Sequence, residues 1–152
     1  LNYFNEIKRS MSYLGKKNNT LFIGQAVKYP GTAMYSTLSN VDKKKIIELP
    51  VFEEMQMGIA LGLSLNSFVP ITIYPRWNFL LLSVNQLVNH LDKLTYMSSQ
   101  KLTNKVIIRT SIGSVRPLDP QHQHKGDFSS AFKKILKKCR NNKKLSELKK
   151  NY

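Results

Sequence analysis

Three short runs rich in aliphatic and β-branched residues, at positions 20–27 (TLFIGQAV), 69–74 and 105–110, alternate with longer stretches whose apolar residues recur every three or four positions. Each run reads as a buried strand, because it is too short for a helix and is bounded by turn-forming residues such as Pro30 and Gly31. The spacing of Leu1, Phe4, Ile7, Met11 and Leu14 predicts an opening helix that ends near Gly15. A second helix is expected over residues 53–66, with Met57, Leu61 and Leu65 on one face. A third is expected over residues 79–96, carrying Leu80, Val84, Leu87, Val88, Leu91 and Leu94 and stopping at Ser98-Ser99. Strands that alternate with helices in one short chain predict an α/β fold, three layers in α/β/α order around a mostly parallel sheet. Residues 112–126 read as a polar, His-containing loop, and a last helix is expected from about Phe128 into a basic tail.

At 152 residues the chain can bury one sizeable core, and one globular unit is expected over residues 1–132. Its longest apolar stretches, such as residues 78–84, fall far short of the roughly 20 residues a membrane-spanning helix needs. No charged-then-apolar signal segment opens the chain, so no membrane association and a cytosolic location are expected. Cys139 is the single cysteine; it can form no internal disulfide and has no His or Cys at metal-ligand spacing. The net charge of +15 taken alone points to an anionic partner. Residues 133–152, however, hold nine basic residues against Glu147 alone, so a surplus of eight sits in the tail. Without interleaved aromatics or a reading motif, nucleic-acid binding is not expected, and the tail reads as a solvated surface.

Three places could carry chemistry. Glu53 opens a helix just after the Pro50 turn, where a carboxylate is favoured by the positive end of the helix dipole; the same placement also describes an ordinary first-turn acid. Trp77, the only tryptophan, stands where strand becomes helix. His122 and His124 lie two apart in a loop, but no Cys pair or further ligand joins them, and no metal site is expected. Gly58 and Gly62 lie four apart on one stripe of the second helix, at about 1 kcal/mol each against alanine, which suggests a packing reason for them.

The segment PRWNFLLLSVNQLVNHLDKLTYMSS is similar to β subunits of pyruvate and related 2-oxo acid dehydrogenases. In that family an aromatic-Asn-Phe turn leads into a helix with a Gln-aliphatic-aliphatic-Asn centre that ends in Lys-x-x-Tyr-Met-Ser. Here these are Trp77-Asn78-Phe79, Gln86-Leu87-Val88-Asn89 and residues 93–98. The resemblance runs back through Val69-Pro70-Ile71 to Pro50-Val51-Phe52-Glu53, at the family's Pro-aliphatic-Ser-Glu position, and takes in Gly58-Ile59 and Gly62 downstream. It covers residues 1–132, and the ordered set rather than any one motif makes it specific.

The resemblance implies a transketolase-like pyrimidine-binding domain that shares thiamine diphosphate with a partner. The cofactor must lose the proton between nitrogen and sulfur of its thiazolium ring, using its own aminopyrimidine as base. Glu53 aligns with the carboxyl that touches the pyrimidine and promotes this ylide formation, and burial would favour the proton-sharing state the role requires. Glu54, the next helical residue, would point about 100° away. Trp77 aligns with the aromatic residue on which the pyrimidine stacks. His124 aligns with the active-site His of the family's Gln-His-Ser loop, and His122 is the alternative in another register. Gly58 and Gly62 align with the family's interface helix.

Several positions depart from the family pattern. Phe52 replaces a small Ser or Thr beside the Glu, Leu63 stands where Gln is frequent, and Asn85 replaces a common Asp. The chain also has no Gly-Asp-Gly with a distant Asn, the superfamily's magnesium and diphosphate motif, so Mg2+ is expected on an α-type, diphosphate-binding subunit. A homodimer or α2β2 assembly is implied. The family's further C-terminal domain is expected to be absent here. A non-catalytic or regulatory relic of the fold, and a basic anion-binding protein, are the alternatives. Pyruvate, branched 2-oxo acids, acetoin and sugar ketols all remain open as substrates.

Overall fold

A computed structural model describes residues 2–113 and 119–137, so Cys139 and most of the basic tail lie outside the described residues. Its centre is a sheet of four strands, β1 (Thr20–Gly24), β2 (Ile46–Glu48), β3 (Val69–Ile73) and β4 (Ile107–Arg109). The order across the sheet is β2-β1-β3-β4, and every neighbouring pair is parallel. Parallel neighbours need crossovers, and helical segments supply them. The helices are α1 (Tyr3–Gly15), α2 (Ala33–Ser36), α3 (Glu53–Leu65), α4 (Trp77–Leu80), α5 (Leu94–Met97) and α6 (Ser129–Ile135).

The two-residue period of each strand sorts its side chains between two cores. Phe22, Ile71 and Ile73 point to one face, where they meet Met11 of α1 and Met34 of α2, with Ile107 against them. On the other face Val106 and Ile108 pack against Met57 of α3, Leu80, Leu87 and Leu91 of the following helical run, and Phe132 of α6. The result is the three-layer α/β/α arrangement that the sequence predicts. No helix among the described residues is long and apolar enough to cross a membrane.

The structure differs from expectation in several elements, among them the short helix α2, which no apolar period marks. β2 is an extra strand: a largely exposed 3-10 turn, Lys43–Lys45, precedes three residues of which only Ile46 is buried, too few for a periodic signal. The run at 20–27 stops pairing at Gly24, because the chain turns away there and Ala26 takes a φ of 57°. The strand at 105–110 keeps only Ile107–Arg109. The helix expected over 79–96 is a broken run. After α4 come a 3-10 turn, Leu81–Ser83, a π segment, Gln86–Leu91, and α5. The widened turn is visible in the bond from Asp92 N–H to the Leu87 carbonyl, five residues back, at 3.0 Å.

Candidate functional site

In the strand order β2-β1-β3-β4 the chain first moves from β1 to one side and then returns to β1's other side. Such a reversal leaves a crevice outside the carboxyl ends of the two strands where it occurs, here β1 and β3, and ligands of open α/β sheets bind there. The two strands approach closely at this point: a Cβ placed on Gly24 would lie 2.2 Å from the Ile73 carbonyl oxygen. Beyond Gly24 the chain is held by Glu48 at the end of β2. Its carboxylate accepts from the backbone N–H groups of Ala26 at 2.7 Å and of Val27 and Lys28 at 2.8 Å each. These charge-assisted bonds hold a non-glycine residue in the left-handed region. Gln25, between Gly24 and this clamp, is 5% exposed, and its Nε2 has no hydrogen-bond partner.

The first turn of α3 closes the crevice from the other face. Glu53 is its first residue, 4% exposed, and its Oε1 is buried without a partner. A buried carboxylate oxygen without a donor is costly unless a ligand or partner supplies one. The backbone beneath it is fixed: Tyr74 O–H donates to the Glu53 carbonyl at 3.3 Å. One turn on, Gln56 Nε2 donates to Thr72 Oγ1 at 2.9 Å and to the Ile73 carbonyl at 3.0 Å, tying α3 to β3. Burial pushes the Tyr74 phenol up to about 12, the Ser83 and Thr72 hydroxyls offset part of this, and the Glu53 charge adds a smaller upward push. Glu54 is engaged elsewhere, accepting from Asn85 Nδ2 at 3.0 Å and Gln86 Nε2 at 3.5 Å.

Trp77 begins α4, directly after β3. Its N–H donates to the Ser111 carbonyl at 3.0 Å, joining the exits of β3 and β4. Its half-buried ring packs on Phe132, centroids 5.1 Å apart. Next to it the buried Asn78 Oδ1 has no partner. His124 comes from the distant loop and packs on Phe79, centroids 5.2 Å apart; its Nδ1 is buried and unpartnered. Lys125 and the Gln121 N–H both bind Asp119, the Lys125 pair at 2.7 Å, and Lys125 first of all holds the Asp119 carboxyl below the usual carboxylate range. His122 is exposed. At the helical Gly58 and Gly62, as at the loop residue Gly31, a Cβ would meet nothing within 4 Å among the described residues. Among the described residues no group of three or more His, Cys, Asp or Glu is gathered for a metal.

No protein-family model matches the chain. It is similar to pyruvate dehydrogenase E1 component subunit beta of Cyanidium caldarium, 27% identical over 80% of this chain and 38% of that protein. The mitochondrial subunit beta of Saccharomyces cerevisiae is 26% identical over 80% of the chain and 34% of its own length. That of Gracilaria tenuistipitata is 30% identical over 53% and 25%. The chain resembles pyruvate dehydrogenase E1 β subunits. It spans well under half the length of these relatives. Mitochondrial names among the relatives give the expected cytosolic location no support.

Within this α/β/α fold, Glu53 and Trp77 sit on segments that flank the same β1/β3 crevice, and His124 reaches the helix that Trp77 begins, through Phe79. Gly58 and Gly62 lie further along α3. The departure at position 85 has a local counterpart, since Asn85 donates to Glu54 where an Asp would place two carboxylates together. Sequence reasoning missed Gln25, Asn78 and Glu48. Gln25 lies inside the run that sequence assigns to a strand and Asn78 lies beside Trp77, but only the fold shows their polar atoms to be buried without partners. No sequence signal marks Glu48, because the strand that carries it is itself invisible to periodicity.

Proposed function

We propose that the chain is the pyrimidine-binding half of a thiamine-diphosphate-dependent enzyme of the 2-oxo acid dehydrogenase or transketolase type. The observation that carries this reading is Glu53: a carboxyl at a helix N-terminus, at the β1/β3 crevice, with a buried oxygen that nothing in the described chain satisfies. Thiamine diphosphate, when bound, supplies the carbanion chemistry. Glu53 offers the pyrimidine ring nitrogen a carboxyl with which to share a proton. Trp77 supplies the aromatic wall, and its packing on Phe132 leaves the rest of the half-buried indole for that purpose. His124, rather than the exposed His122, is placed to exchange a proton through its unpartnered Nδ1.

The diphosphate and Mg2+ belong to an α-type partner, and the open stripe at Gly58 and Gly62 suits close approach of another chain in a homodimer or α2β2 assembly. A second reading, a binding module of the same fold without turnover, draws on Phe52, whose large side chain stands 56% exposed immediately before Glu53. The test is reconstitution. The chain, a diphosphate-binding α-type subunit, thiamine diphosphate and Mg2+ should bind the cofactor and turn over a 2-oxo acid or ketol. Glu53→Gln should remove the turnover; unchanged binding and turnover in that variant would refute the assignment, and binding without turnover in the wild type would favour the module.

A further inference from the structure

The basic residues of this chain are overwhelmingly lysine; only five are arginine, and two of those, Arg76 and Arg109, stand at the carboxyl edge of the sheet. Arg109 donates to Thr37 Oγ1 at 2.6 Å. Arg76 is different. It is half-buried, and among the described residues its guanidinium pairs with no carboxylate. Its backbone is fixed as the N-cap of α4, its carbonyl accepting from Phe79 N–H at 3.1 Å and Leu80 N–H at 3.4 Å. The guanidinium comes to rest over Gly113, just beyond β4. A Cβ there would lie 2.6 Å from Arg76 Nη1 and 2.1 Å from the His124 carbonyl oxygen, so only glycine lets the Arg76 head and the His124 backbone share that place. Arg76 is thereby held at the rim of the crevice, next in sequence to Trp77 and beside the segment that carries His124.

A cation partly removed from water without a counter-charge is costly, and a ligand anion offsets that cost. The planar fork of arginine fits two oxygens of a carboxylate or phosphate, which lysine cannot match. We propose that Arg76 binds the anionic oxygen group of the substrate, the carboxylate of a 2-oxo acid or the phosphate of a phosphorylated ketol, at the edge of the proposed pyrimidine site. For the identity of the substrate this rests on the reading given under Proposed function; for the existence of an anion site it does not.

Trp77, the single tryptophan and the adjacent residue, makes a site-specific fluorescent reporter. The chain is titrated at constant ionic strength with pyruvate, with inorganic phosphate and with chloride as control. Pyruvate or phosphate should change Trp77 emission saturably, and which of the two does so distinguishes the sources. Arg76→Gln should weaken that response by about tenfold or more, and Arg76→Lys should keep part of it. An unchanged affinity in Arg76→Gln, or no saturable response in the wild type, overturns the proposal. Calorimetry of thiamine diphosphate with Mg2+ and the α-type partner separates the two readings. Arg76→Gln should leave cofactor affinity within about twofold; its loss would assign the guanidinium to the diphosphate and overturn the substrate role. Absence of cofactor binding in the wild type would defeat the proposed function alone.

Discussion

The hydroxyl of Tyr74, fully buried at the end of β3, donates to the backbone carbonyl of Glu53 at 3.3 Å. Together with the Gln56 bonds to Thr72 and Ile73, this bond links the strand that leads to Trp77 with the helix turn that presents Glu53, so the two walls of the crevice are set relative to one another by groups that need not touch a ligand. Tyr74→Phe removes it and leaves the ring. Stability should fall by ~1 kcal/mol, read as a lower urea midpoint with an unchanged slope.

The same phenol gives a pH dependence. Its folded value is raised from 10.0 to about 12, mainly by burial, so the unfolded chain ionises first. Its contribution to stability is fully present below pH 10 and is lost as pH rises from 10 toward 12. Wild type should lose more stability over that window than Tyr74→Phe, and equal losses in urea titrations of the two proteins would contradict the burial account.

Glu54 and Asn85 provide a charge test. Asn85→Asp places a carboxylate against Glu54, where the amide now donates at 3.0 Å. Because Asn85 is exposed, the cost should be modest, ~0.5–1 kcal/mol, and should shrink in high salt. Adding Glu54→Gln should restore wild-type stability. A salt-independent loss in urea unfolding would instead point to broken packing.

Two glycines should behave oppositely. Gly24→Ala drives a Cβ to 2.2 Å from the Ile73 carbonyl and should cost more than ~3 kcal/mol or prevent folding. Gly62→Ala meets nothing within 4 Å, so helix propensity should stabilise the isolated chain by up to ~1 kcal/mol. If the stripe seats a partner, the same change should weaken assembly, measured by sedimentation with the α-type subunit; unaltered assembly would remove the interface role.

Much of this architecture was legible from periodicity. α1, α3 and β3 fall close to where apolar spacing places them, although Phe4 and Leu65 of the expected faces are exposed and Glu6, Ser10, Gln56 and Thr72 are buried instead. β2 escaped because one buried residue, Ile46, carries no period. The leucines and valines of the run at 79–96 keep the spacing of a continuous helix, while backbone bonding in 3-10 and π form does not show in side-chain pattern. At the site, Glu53, Trp77 and His124 came from motif order. Nothing local marked Gln25 or Arg76, since their significance lies in which groups are buried beside them without partners or counter-charges, a property of the fold alone.

The most direct test is the rate at which bound thiamine diphosphate exchanges its thiazolium C2 proton for deuterium, followed by acid-quenched NMR in the complex with the α-type subunit. With the cofactor bound in both proteins, Glu53→Gln should slow exchange by about a hundredfold or more, the scale of a lost proton-sharing group. Exchange at the wild-type rate in that variant would contradict the role given to Glu53.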